Sequence, residues 1–122
     1  MKIKILIVDD EKSIRDLLTV NLQQQKYDVS SAANGEDALY LLKFESYDVI
    51  LLDLVMPKVY GLEFIEKLKT TYVKKPAIIL MTAFSANEII DEAIKNGAVA
   101  CLHKPFDMGE VFNTIQRVIS IK

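Results

Sequence analysis

Tryptophan is absent from this chain, cysteine and histidine occur once each, and only three prolines and four glycines punctuate it. Each scarcity closes a class of explanation. A single cysteine, Cys101, excludes an intramolecular disulfide, and its place in an apolar run suits a reducing compartment. A single histidine, His103, leaves no second imidazole with which to build a histidine metal site. No apolar stretch approaches the roughly 18 to 20 residues that a membrane-spanning helix needs. No block of basic residues appears, so nothing electrostatic supports nucleic-acid binding by this segment itself. Met1-Lys2-Ile3-Lys4 places charge before an apolar run, as a secretory signal would, but Asp9 and Asp10 interrupt that run after Val8. It reads as a first strand.

With 122 residues, 51% of them hydrophobic and 26% charged, and a net charge of −2, the chain has the balance of one soluble domain. Such a length buries roughly two thirds of its extended-chain surface, enough for one core. No linker, internal repeat or low-complexity tract divides it, so residues 1–122 are expected to form a single domain in the cytoplasm.

Segment types alternate regularly. Ile3–Val8 is an uninterrupted run of the kind buried on both faces of a sheet. Ile14, Leu17, Leu18 and Leu22 then recur at helical spacing from Ser13 to Gln24. Tyr27–Ala33 reads as a short strand, Asn34-Gly35 as a turn, and Ala38, Leu41 and Leu42 as the inner face of a second helix. Asp48–Leu54 is the most apolar strand, stopped by Met56-Pro57, and Gly61 opens a third helix carrying Leu62, Ile65 and Leu68. Pro76 precedes a strand from Ala77 that ends at Thr82. Ser85 stands three residues before Glu88, the spacing of a capping box, for a helix ended by Asn96-Gly97. Ala98–Leu102 is a fifth strand, and Asp107 caps a last helix. Five β-α units with short connections make an α/β, doubly wound parallel sheet with helices on both faces.

Three of these runs end in charge: Val8 leads to Asp9 and Asp10, Leu52 to Asp53, and Leu102 to His103 and Lys104. Ligand sites in open α/β sheets lie at the carboxyl edge of the strands. At about 4 Å and an effective dielectric near 20, each carboxylate pair repels by roughly 4 kcal/mol, so a cation is the natural remedy. Aspartate is also a common helix N-cap, which gives one of Asp9 and Asp10 a purely structural alternative. Glycines and bare N–H groups, which cradle phosphates in dinucleotide and flavin folds, are missing from this first turn.

Asp53 is harder to dismiss, because an unpaired carboxylate after an apolar strand costs several kcal/mol to bury. Beside a hard cation it can accept a phosphoryl group as an aspartyl phosphate. Mg²⁺ suits such a site, taking one or two carboxylates with waters and phosphate oxygens, and Mn²⁺ is a substitute. Thr82 and Lys104 each have ordinary strand-end explanations. Together they supply a hydroxyl and an ammonium for phosphoryl oxygens, and the small Ala83 keeps the approach to Asp53 open.

Val8-Asp9-Asp10, Leu52-Asp53 with Met56-Pro57 and Gly61, Thr82-Ala83 and Lys104-Pro105-Phe106 resemble, in order and spacing, the receiver domain of bacterial two-component response regulators. The resemblance covers essentially the whole chain. It implies a flavodoxin-like five-stranded sheet of order 2-1-3-4-5 and a signalling switch rather than a turnover enzyme. It makes Asp53 the phosphoacceptor, Asp10 a direct Mg²⁺ ligand, Asp9 a ligand mainly through water, and the Val55 carbonyl a further ligand. Thr82 becomes the switch hydroxyl, Lys104 the phosphate-sensing cation, and Lys104–Pro105 a cis peptide. The implied donor is phosphohistidine on a sensor histidine kinase or histidine phosphotransfer protein. The implied output surface is the fourth helix, fifth strand and fifth helix, with Asn87, Asp91, Lys95 and Gln116 as exposed candidates. A monomer or a weak phosphorylation-dependent dimer is expected.

The sequence also departs from the family pattern. Cys101 stands where receivers carry an aromatic ring or histidine, and a thiol lacks the bulk to block or vacate a surface groove; it reads as a small buried hydrophobe. Tyr60 replaces a frequent aspartate before Gly61. His103 reads as a half-exposed packing residue. An aspartate-nucleophile phosphatase of the haloacid-dehalogenase type wants a second acid where Val55 stands. A docking-only pseudo-receiver is opposed by the intact acid set, and a flavodoxin-like cofactor carrier by the charge at the first turn. The last helix should end near Ile119–Lys122, which fits a stand-alone receiver and equally the N-terminal receiver of a longer transcription factor or output enzyme.

Val55 and Phe84 fall where receivers tune phosphate hydrolysis, and neither side chain can orient an attacking water. A comparatively long-lived phosphoryl group is therefore expected. In a phosphate-release time course, Val55→Asn or Phe84→Glu should hydrolyse faster than the parent; equal rates for all three would overturn this reading.

Overall fold

Residues 2–53, 61–71, 75–83 and 87–120 are described by the computed structural model. Val55, Met56, Pro57, Tyr60, Phe84 and Ser85 lie outside the described residues, so the roles given to them rest on sequence. The elements follow in order as β1 Lys4–Val8, α1 Lys12–Gln24, β2 Asp28–Ala32, α2 Gly35–Leu42 and β3 Val49–Asp53. They continue as α3 Gly61–Thr71, β4 Ala77–Thr82, α4 Asn87–Lys95, β5 Ala98–His103 and α5 Met108–Ser120. The strands form one parallel sheet of order β2-β1-β3-β4-β5. Among the described residues, no helix is long and apolar enough to cross a membrane.

Side chains alternate across a strand, and here both faces are covered. Leu6, Val8, Ile50, Leu52 and Leu80 pack on one side with Ala38 and Leu42 of α2, Phe64, Ile65 and Leu68 of α3, and Ala93 of α4. Ile5, Ile7, Val49, Leu51, Ile79 and Met81 point to the other side, against Leu18 and Leu22 of α1 and Val111, Ile115 and Val118 of α5. Burying one such side chain contributes about 1.5 to 3 kcal/mol, so the two central strands anchor the layers.

Several boundaries differ from the sequence reading, each for a local reason. Asp48 does not begin β3. Its N–H still donates to the Lys4 carbonyl of β1 at 2.8 Å, but its side chain takes the return bond, with Oδ2 accepting from Lys4 N at 2.8 Å. Tyr27 is withdrawn from β2 because its N–H closes α1 on the Leu22 carbonyl at 3.3 Å. Asn34 is a helix cap as well as a turn residue, accepting from Asp37 N at 2.9 Å. Asp107 caps α5 as expected, accepting from Glu110 N at 2.8 Å. β5 runs on to His103, and a register shift opposite Ile78/Ile79 leaves Val99 bulged outward and 51% exposed.

The end of α1 is a Schellman turn: Lys26 N donates to Gln23 O, Tyr27 N donates to Leu22 O, and the side chains of Tyr27 and Leu22 share the core. Lys26 carries the turn at φ 72°, a left-handed conformation that costs a side-chain-bearing residue about 1 kcal/mol or more. Lys26→Gly should therefore raise unfolding stability by about 0.5 to 1 kcal/mol, read as a higher urea midpoint with unchanged slope.

Candidate functional site

Strand register gathers the charged residues. Val8 pairs with Leu52, Asp53 with Met81, and Thr82 with His103, so the carboxyl ends of β1, β3, β4 and β5 meet at one edge. Asp9 has no exposed surface, Asp53 is 7% exposed and Thr82 1% exposed. Asp10 is exposed at the rim. One carboxylate oxygen from each of Asp9, Asp10 and Asp53 lies within 4.8 Å of the others. At an effective dielectric near 20 each pair repels by at least about 3 kcal/mol before screening, and by less where water screens Asp10.

Lys104 is the local counterweight. Its Nζ donates to Asp9 Oδ2 at 2.8 Å and lies 3.5 Å from Asp53 Oδ2 and 3.4 Å from Glu11 Oε1. Burial alone would lower its pKa. The hydrogen bond to Asp9 and the charges of Asp53, Asp9 and Glu11 outweigh that and hold it above the ordinary lysine value. Lys104 N also donates to the Thr82 carbonyl at 2.8 Å, tying the ends of β4 and β5 together. The Lys104–Pro105 peptide is cis.

The turn after β1 is held from two sides. Glu11 N donates to Asp9 Oδ1 at 2.9 Å, an Asx-type turn. Arg15 Nη1 donates to the Asp9 carbonyl at 2.8 Å. Four carboxylates (Asp9, Asp10, Glu11 and Asp53) face two cations, Lys104 and Arg15, leaving an excess of two negative charges that one divalent ion would cancel. The donors are all hard oxygens. Oxygens sharing an ion at about 2.1 Å stand roughly 3 to 4 Å apart, so the observed cluster needs only slight closure to hold one. The acidic pocket thus fits a divalent cation in donor chemistry, spacing and charge.

Asp9, Asp10, Asp53, Thr82 and Lys104, proposed from sequence, come together at this edge. Val55 and Phe84 lie outside the described residues. Ala83 is exposed just beyond Thr82. It joins Glu11, Lys104 and Pro105 in lining a groove of about 420 Å³ whose apolar walls are Ile14, Leu17 and Phe106. Cys101 is partly rather than fully buried, packed against the core beside Leu80, and burial pushes its thiol pKa up. His103 is exposed, not half-exposed, because it alternates with the inward Leu102 on an edge strand. Sequence reasoning missed Glu11 and Arg15. An acid directly after the aspartate pair, in a poor capping residue's place, was the available signal.

The sequence pattern of the response regulator receiver domain matches residues 5–116. Sporulation initiation phosphotransferase F of Bacillus subtilis is 34% identical over 122 residues, covering 100% of this chain and 98% of that protein. Regulatory protein AtoC of Escherichia coli is 34% identical over 119 residues, covering 98% of this chain but only 26% of AtoC. The chain thus spans about a quarter of that relative's length. The structure of response regulator TrrA from Thermotoga maritima, in complex with Mg(2+)-BeF, superposes with a TM-score of 0.83 at 35% identity, covering 97% of this chain and 99% of TrrA. Receivers of this kind interact with histidine kinases or phosphotransfer proteins. With its sheet order, its acidic edge and these relatives in agreement, the chain belongs to the receiver domain family of two-component response regulators.

Proposed function

We propose that Asp53 is the phosphoacceptor of this receiver, taking a phosphoryl group from phosphohistidine on a sensor histidine kinase or histidine phosphotransfer protein. The observation that carries this is the placing of the Asp53 carboxylate, nearly buried, 3.5 Å from Lys104 Nζ and within 4.8 Å of the Asp9 and Asp10 oxygens. An Asp53 oxygen attacks phosphorus in line, the P–N bond breaks, and imidazole leaves with the electron pair. Lys104 meets one phosphoryl oxygen and the Thr82 hydroxyl another, while Ala83 leaves room for them. Mg²⁺ is the proposed ion, held by Asp10, Asp53, the Val55 carbonyl and, through water, Asp9; when bound it neutralises the charge between carboxylate and phosphoryl group.

The domain is proposed to catalyse only its own phosphorylation and slow dephosphorylation, as a single cytoplasmic unit over residues 1–122. The new charge on Asp53 draws Thr82 and Lys104 inward and shifts a two-state equilibrium. The proposed output surface is α4, β5 and α5. Asp91, Lys95 and Gln116 are exposed there, beside the apolar Ile94 and Val99, which are 48% and 51% exposed. Oligomeric state is proposed as monomer or weak phosphorylation-dependent dimer, with no nucleic-acid contact by this domain itself. The length of relatives such as AtoC supports a second reading, in which this receiver is the N-terminal part of a longer transcription factor or output enzyme.

Incubation with acetyl phosphate and Mg²⁺ should add one phosphoryl group per chain, mapped to Asp53, and Asp53→Asn should lower labelling at least about 100-fold. Label elsewhere would overturn the assignment, and sustained turnover of a generic phosphate ester would favour a phosphatase. Relief of like-charge repulsion should make Asp10→Asn about 1 kcal/mol more stable than the parent without metal. Added Mg²⁺ should raise the melting temperature of the parent and leave that of Asp10→Asn nearly unmoved in a thermal-shift titration.

A further inference from the structure

Glu11 occupies the N-cap of α1, where a short oxygen-bearing side chain normally reaches back to the first turn. Its side chain makes no capping bond. Instead Oε1 lies 3.4 Å from Lys104 Nζ, with the side chain 57% exposed. An exposed pair of that length adds little stability, and Lys104 is already bonded to Asp9 at 2.8 Å. What Glu11 changes is the charge at the entrance, because it shares the groove of Ala83, Lys104 and Pro105 beside the acidic pocket. The carboxylate is the more exposed member of the pair, at 57% against 12% for the Lys104 side chain.

We propose that Glu11 is a specificity-determining residue that slows phosphorylation of Asp53 by small anionic donors and thereby favours a macromolecular one. Ile14, Leu17 and Phe106 form the apolar walls of the same groove, a surface from which a protein donor draws binding energy that a small molecule does not. Glu11 touches no reacting atom in this scheme; it acts through its field on the donor. The inference rests on the acceptor role proposed for Asp53.

Two small donors of different charge separate a field effect from a positional one. With acetyl phosphate, an Asp53 oxygen bonds to phosphorus, the bridging P–O bond breaks, and acetate leaves with the electron pair. With phosphoramidate the P–N bond breaks and ammonia leaves. Acetyl phosphate is a dianion at neutral pH, and phosphoramidate carries about one negative charge less. Labelling rates of the full chain are measured at saturating Mg²⁺ for the parent, Glu11→Gln and Glu11→Asp, with saturation checked by calorimetry for each.

At about 0.02 M ionic strength, Glu11→Gln should label about three- to tenfold faster with acetyl phosphate and gain less with phosphoramidate. At about 0.5 M most of that gain should vanish. Glu11→Asp, which keeps the charge but as a favoured cap draws it back toward the first turn, should gain clearly less than Glu11→Gln. Equal gains for both donors at both salt levels, or Glu11→Asp behaving as Glu11→Gln, would show that Glu11 merely positions Lys104 and would overturn the proposal. An unchanged rate in Glu11→Gln overturns it too. A parent chain that takes no label overturns the acceptor reading itself, and this inference with it.

Discussion

The ammonium of Lys104 reaches across 95 residues of sequence to a buried oxygen of Asp9, at 2.8 Å. That contact joins the connection after the last strand to the turn after the first. It offsets a crowding of carboxylates that hydrophobic burial imposes. Ile5 to Val8 and Val49 to Leu52 have no exposed surface, so their positions in the sheet are set by packing rather than by the charges that follow them. The aspartates then project from strand ends that cannot slip without exposing a whole apolar face.

This arrangement places strain and function at the same edge. A cluster with an excess of negative charge is stabilised by whatever positive charge arrives, whether an ion or a moved ammonium. Lys104 has three carboxylate partners at 2.8, 3.4 and 3.5 Å, and a new anion on one of them would redistribute those contacts. The far side of β5 is built differently. Its edge carries a bulge at Val99 and a partly buried thiol at Cys101 in place of a ring.

Much of the architecture was legible in order. Continuous apolar runs marked strands buried on both faces, and Asn96-Gly97 and Asp107 marked helix ends, because those residues act through local backbone chemistry. The edges were less legible. Tyr27 has strand-like composition but spends its N–H on α1, and the Asp48 side chain accepts from Lys4 N, neither of which composition reveals. His103 lies in the open because β5 is at the edge of the sheet, a fact of strand order. Lys26 stands in a left-handed turn where glycine would be the local choice. Glu11 and Arg15 read as ordinary first-turn charges until their partners are known.

The sequence by itself determined the α/β class, the count and order of elements, and the residue types at the strand ends. These depend on periodicity and on short-range chemistry, which act between near neighbours. Only the tertiary structure decided the distances that make those residues a site: the 4.8 Å cluster of Asp9, Asp10 and Asp53, the bond from Lys104, and Glu11 in the lining of the groove. Coulomb energy depends on separation in space. Separation at that edge is set by the register of four strands, which no local pattern records.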